Sequence, residues 1–436
     1  MKRLIIALVM LSVVFGAFAG GQQESGEEQV VLRALVTNHE SLLMYRDVFF
    51  PKFEEETGIK VIVDALPESG YEQKLRVTMG AGNSEYDIVQ IGGRTLGQAV
   101  SGGWITPLNE YMNDSTKTDQ AWAEGFADRV MDICTVDNNL YGVPWQIGSN
   151  ILFYNKAMFR EAGLDDSKGP ADLEELEEYA RILTKPEKNQ YGFVQRAKRD
   201  DGSNGFAWIM MWLAKGGRWT DVEGYPDYAV LNHPIAKETT DLYTRLLNNY
   251  GPPGVSSYGW PEAQLAMQQG RVAMWLGAAQ LGLELEDPEK STIAGDVGYA
   301  IIGGAEDEEW YTVGSPWMFS MAATTEHPEE VWEVLQYMTG YEVVMEQVLA
   351  KVHGSPVRKD VLLDDQITEV FPAEFAEALS VGVGRGLAEY TPFIPEGPQI
   401  RDFLSIAISS AMTGQQSVDE AMEEANNKIK ELLDIK

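Results

Sequence analysis

Residues able to do covalent chemistry are sparse in this chain. It holds one cysteine, Cys134, and four histidines, His39, His233, His327 and His353, spread among polar neighbours. No intramolecular disulfide and no Cys-rich metal site can form, and a histidine metal centre is not expected. There is no Gly-Lys-Ser/Thr phosphate loop, no His-Glu-x-x-His and no Gly-x-Ser-x-Gly elbow, and His39-Glu40 is only a fragment of the zinc pattern. Carboxylates are abundant, so residue count alone leaves open a glycosidase with two acids flanking a sugar. The runs Glu54-Glu55-Glu56, Glu174-Glu175 and Glu306 to Glu309 sit in polar context and read as solvated faces.

What the sequence offers instead is aromatic residues beside polar ones in expected loops: Trp145-Gln146, Trp275 with Gln280, and Ser315-Pro316-Trp317. Aromatic faces pack on the C–H faces of a pyranose while amides and charged groups take its hydroxyls, so the mixture suits carbohydrate. Trp104, Trp212 and Trp332 lie in apolar patterns and are expected in the core.

Positioning such residues requires folded elements, and the composition supplies them. The 436 residues are 44% hydrophobic and 23% charged, a globular balance, and the length suggests two or three core-forming units. The formal charge of −33 gives a field that repels nucleic acid and keeps an exported protein soluble.

Lys2 and Arg3, the apolar stretch Leu4 to Phe15 and Ala17-Phe18-Ala19 form an export-signal pattern over 1–19. The alternative, a membrane anchor, needs ~20 apolar residues, more than this run provides. Gly20 stands where a lipoprotein would carry cysteine, so lipid attachment by that route is not expected. Residues 20–29 are polar and suit a linker.

From Val30 onward strand and helix alternate. Val30 to Val36, Val61 to Ala65 and Tyr86 to Ile91 read as strands; Leu42, Tyr45, Phe49 and Phe53 recur at helical spacing up to Gly58, and Tyr71 to Met79 is a second helix. The order implies a largely parallel sheet covered on both faces, with ligand beyond the carboxyl ends of its strands. That points to Asn38, His39 and Glu40 and to the loop Gly92-Gly93-Arg94. At the other end, Ser417 and Glu420 predict a capped helix whose apolar face is Val418, Ala421, Met422, Ala425, Ile429 and Leu432.

Several segments carry a family resemblance: Phe53 to Val61, Tyr86-Asp87-Ile88-Val89, Tyr141 to Trp145 with Tyr154-Asn155-Lys156, Gly270 to Met274, His327 to Glu330, Gly354 to Arg358 and Ser417 to Ala421. In this order the chain resembles the extracellular solute-binding proteins, family 1, sugar-binding receptors of ABC importers. The resemblance implies an α/β, two-lobe periplasmic-binding-protein fold (type II, maltose-binding-protein-like) with three hinge crossings. One lobe would hold 30–146 and 304–340, the other 150–300 and 341–436. It further implies ligand contacts from Asn38, His39, Glu40, Gly93, Arg94, Trp145, Gln146, Asn204 and Phe206, with Trp275, Gln280, Trp317, Arg358 and Arg401 as further candidates. Arg358 could instead order a loop, and Asp87 is expected to be structural.

The implied activity is capture of a sugar between closing lobes and delivery to the permease subunits of an importer, by an exported monomer outside the cytoplasm, without cofactor, metal or nucleic acid. After Ala273-Met274 many relatives carry a glycine and a stacking tryptophan, whereas this chain reads Trp275-Leu276-Gly277, and Arg401 stands where another platform is found. These departures point to a small or differently shaped sugar. Arg94 and Arg401 leave a non-sugar cargo such as a phosphate ester open, alongside a polyamine or a metal ion.

Overall fold

The computed structural model describes residues 29–82, 85–126, 128–304, 309–387 and 389–435. The expected leader lies outside them, as does the linker except for Gln29, whose amide donates to Glu54 Oε1 and the Gly58 carbonyl and so already belongs to the folded body.

The strands in chain order are β1 (Val31–Thr37), β2 (Lys60–Leu66), β3 (Ile88–Gly92), β4 (Thr135–Val136), β5 (Asn139–Leu140), β6 (Val143–Gly148), β7 (Asn150–Asn155), β8 (Tyr191–Val194), β9 (Val272–Ala278), β10 (Val297–Ala300), β11 (Thr312–Val313), β12 (Ser315–Met321) and β13 (Gly386–Leu387). Two sheets organise the molecule, one ordered β2-β1-β3-β12-β6 and the other β10-β7-β9-β8. Each is the centre of one lobe, and helices cover both.

Continuous burial marks the interior strands: β1 is buried from Ala34 to Thr37, and all of β3, Ile-Val-Gln-Ile-Gly, is buried, whereas the edge strand β2 is only partly covered. The helix Phe50–Thr57 stops at Gly58, which takes φ 79°, a left-handed cap that glycine adopts without steric cost. The final helix, Val418–Leu432, has the expected reciprocal cap between Ser417 and Glu420 and buries Ala421, Met422, Ala425 and Ile429. Trp104, Trp212 and Trp332 are core residues, and Asp87 is structural, accepting from Arg33 N and Thr325 Oγ1. Cys134 is fully buried, and burial pushes its thiol far up.

The expectation of a largely parallel sheet is corrected. β1 pairs in parallel with β2 and β3, but β12 runs antiparallel to both its neighbours, β3 and β6. In the second sheet only β8 and β9 are parallel. β12 returns from the other lobe, so no local strand-helix-strand crossover dictates its direction.

Ser149 alone separates β6 in one sheet from β7 in the other. Beside it, Asn150 Oδ1 accepts from Val313 N at 2.8 Å, and the short parallel ladder of β11 with β13 brings two further connecting segments to the same place. Residues 341–371, expected with the second lobe, make the following contacts. Gln347 Nε2 donates to the Ser41 carbonyl, Ser355 Oγ to the Ile147 carbonyl, and Pro356 bridges Gln146, all in the first body. Only from the helix Ala373–Gly384, whose Phe375 meets Tyr299, does the chain pack on the second sheet. No helix among the described residues is long and apolar enough to cross a membrane.

Candidate functional site between the lobes

The first lobe presents the ends of its strands. After β1, Asn38 donates its backbone N–H to Leu66 O, and Asn38, His39 and Glu40 are exposed. After β3 the expected loop is shorter than predicted: a helix, Gly93–Ser101, begins at once, placing Gly93 and Arg94 in its first turn. Arg94 Nη2 lies 3.2 Å from Glu72 Oε1, an ion pair about three-quarters withdrawn from solvent. Trp317 is not in a loop but in β12, and its ring lies against Gly92, where a Cβ would sit 3.2 Å from Cζ3.

The second lobe faces it with three segments. Beyond β8, the Arg196 guanidinium lies 4.9 Å from the Phe206 ring centroid and its Nη1 donates to Gly202 O at 3.0 Å. Beyond β9, Gln280 is half-buried, and its Oε1 is fully buried without a hydrogen-bond partner among the described residues. Before the helix Gly397–Met412, the segment around Tyr390 is tied to this lobe by Trp219 Nε1 donating to Tyr390 O and by Arg401 Nη1 donating to Thr391 Oγ1.

These segments touch the first lobe. The Tyr390 hydroxyl is 2.9 Å from Ser315 Oγ and beside Gly93, while its ring meets Phe206 edge-on at 6.3 Å. A Cβ on Gly202 would sit 3.0 Å from Arg94 Nη1. Arg94, Gly202, Arg196, Phe206, Tyr390 and Gly93 thus form a closed ring of neighbours spanning both lobes. At the rim, the Lys290 ammonium is raised above its usual range, chiefly by its bond to Glu284, and Glu40 of the opposite lobe adds to the effect.

Four of the expected contact residues pack within their own lobes in this arrangement, with the indole Nε1 atoms of Trp145 and Trp275 buried without a hydrogen-bond partner among the described residues. Trp145 is 2% exposed, stacked on Phe319 and touching His353. Trp275 lies wholly within the second core against Phe153, in the middle of a strand. Asn204 donates to Ser405 O and accepts from Ser405 Oγ, so it straps its segment to the helix Gly397–Met412. Arg358 forks onto Asp360 at 2.9 and 2.5 Å and donates to the carbonyls of Trp122 and Thr339, bonds of the kind the loop-ordering alternative calls for. Gln146 is buried between Trp317 and Pro356, and Arg401 holds the Tyr390 segment from behind.

Tyr390, Arg196 and Glu72 escaped the sequence reading. The rule that ligands gather beyond strand carboxyl ends, applied to β8, leads to Arg196; nothing local marks Tyr390, which arrives from the far end of the chain. Behind the site, His353 Nε2 contacts the Trp145 carbonyl at 2.9 Å, and burial, with a smaller push from His39, lowers its pKa to about 4. Two surface depressions of about 520 and 410 Å³ lie elsewhere on the second lobe and include none of the expected site residues. Among the described residues no cluster of three metal-binding side chains occurs.

Comparison with known proteins gives this geometry a context. The chain is 24% identical over 353 residues to the erythritol/L-threitol-binding protein of Mycolicibacterium smegmatis, covering 78% of this chain and 73% of that protein. It is 28% identical over 290 residues to the mannitol-binding protein of Pseudomonas aeruginosa, covering 66% and 63%. The ABC transporter solute-binding protein of Agrobacterium radiobacter K84, solved in complex with ribitol, superposes with a TM-score of 0.78 at 24% identity, covering 92% of this chain and 98% of that one. Residues 41–345 match the model of the bacterial extracellular solute-binding protein family, to which this chain therefore belongs.

Proposed function

We propose that this protein captures a small polyhydroxylated solute, a sugar or a sugar alcohol, between its lobes and presents it to the permease subunits of an ABC importer, acting as an exported monomer that performs no catalysis. The observation that carries the reading is the ring of neighbours spanning both lobes; away from it, where Gly354 of one lobe meets Gln280 of the other, Gln280 Oε1 is an acceptor buried without a hydrogen-bond partner among the described residues. A buried acceptor of this kind costs free energy until a donor reaches it, and a ligand hydroxyl is such a donor. The naming of relatives for erythritol, mannitol and ribitol supports cargo of that chemistry.

In this reading Phe206 and Trp317 supply apolar faces, Arg94 and Arg196 with Glu72 and Glu40 supply charged hydrogen-bonding groups, and His39 and Asn38 line the entrance. Lobe one comprises roughly residues 30–148 and 315–371 and lobe two 150–300 and 373–435, a division supported by the hydrogen bonds of 341–371 described above. Ligand bonded to both lobes favours the closed arrangement, and that arrangement is what a permease can recognise. The test is titration calorimetry of the chain from Gly20 onward against acyclic polyols, monosaccharides, oligosaccharides, polyamines and phosphate esters. Saturable heat with a polyol or sugar is expected; heat only with a polyamine or phosphate ester overturns the assigned cargo.

A further inference from the structure

The two lobes meet through glycines whose missing side chains let backbone approach backbone. Gly97, in the middle of the helix Gly93–Ser101 of the first lobe, faces the Phe393 backbone of the second: a Cβ there would sit 2.7 Å from the Phe393 carbonyl oxygen and 3.1 Å from its Cα. Gly354, held to the first lobe by its neighbours His353 and Ser355, faces Gln280 in the same way, with a Cβ position 2.6 Å from the Gln280 carbonyl oxygen and 3.0 Å from its Cα.

These contacts lie on opposite sides of the first sheet. Side chains along β12 alternate between its faces. Phe319 stacks on Trp145, which touches His353 next to Gly354, whereas Pro316 lies on the other face against Gly93, at the start of the helix that carries Gly97. A third side is closed at the connecting segments, where Gly382 packs on Ser149.

We infer that this cleft shuts at both ends through Gly97 and Gly354, so that it admits only a ligand short enough to be engulfed whole, an acyclic polyol or a monosaccharide, and excludes oligosaccharides whose further units would protrude. The inference rests on the proposed function and narrows its substrate class. Glycine is a poor residue in mid-helix, so its presence at 97 is explained by the approach of Phe393 and not by the helix.

The experiment titrates ribitol, mannitol, glucose and maltotetraose into the chain from Gly20 onward and into its Gly97→Ala and Gly354→Ala variants. The short ligands are expected to bind the parent and maltotetraose not to. Each alanine, by holding the lobes apart, weakens the short ligand by about tenfold or more, as overpacking at a tight contact does. Ligand-free melting separates propping from misfolding, because alanine favours the helix at 97 and that variant's midpoint is expected not to fall. Tight maltotetraose binding by the parent, or unchanged short-ligand affinity in both variants, overturns the inference while leaving the proposed function standing. Silence toward all four ligands, with saturable heat only toward a polyamine or phosphate ester, overturns the proposed cargo, and the inference with it.

Discussion

Phe206 and Trp275 are both aromatic candidates for the site, and the fold buries them to different extents. Trp275 is completely enclosed against Phe153 in the second core, so truncation to alanine leaves a cavity and removes about 3–5 kcal/mol of stability, read by denaturant unfolding. Phe206 is only partly buried, under the Arg196 guanidinium and beside Tyr390, so Phe206→Ala is expected to weaken ligand binding at least several-fold with a smaller loss of stability. A Trp275→Ala variant with parental stability would contradict its placement. His353 makes a second residue-scale prediction. Its folded pKa of about 4 lies below the usual 6.5, so the unfolded chain binds the extra proton first. The stabilisation, roughly 3 kcal/mol, is complete above about pH 6.5 and is lost as pH falls towards 4. Replacing His353 by glutamine should flatten the stability profile across that window and leave it unaltered above pH 7.

At the scale of elements, the terminal helix shows what a sequence can announce. Ser417 and Glu420 satisfy each other's backbone groups, and Ser417→Ala is expected to cost about 1 kcal/mol in denaturant unfolding; an unchanged midpoint would show that the cap contributes nothing. Local signals of this kind, periodicity and caps, made the first strands, the helix ended by Gly58 and the core tryptophans legible. Strand direction was not, because β12 pairs with β3 and β6 across long sequence separations that no local pattern records. The same cause hid the contacts of 341–371, such as the Gln347 bond to Ser41 and the Gln146–Pro356 bridge, which also join segments far apart in the sequence. At the proposed site, Arg94 was reached because it follows a strand and Phe206 because the family resemblance pointed to it. Trp145 and Trp275 lie in β6 and β9, strands buried along their whole length, and no alternation marked those segments as strands rather than loops.

For the whole molecule, two lobes joined at Ser149, β11 and β13 can change their separation by altering few backbone torsions. Small-angle scattering with a bound polyol is therefore expected to give a smaller radius of gyration than without it; an unchanged radius with demonstrated binding would remove closure from the mechanism. The charge of −33 predicts that affinity for an uncharged ligand varies little between low and moderate salt, since the field acts on ions and not on hydroxyls.

The position of β12 governs the order in which the chain can become a protein. This strand lies between β3 and β6 in the first sheet, yet it follows them in sequence only after the whole second sheet. During synthesis the first sheet thus has a gap between β3 and β6 until residue 321 has been made. Long-range closure of this kind is slow. The second sheet, by contrast, is complete once residue 300 has been made, so its folding is expected to precede that of the first.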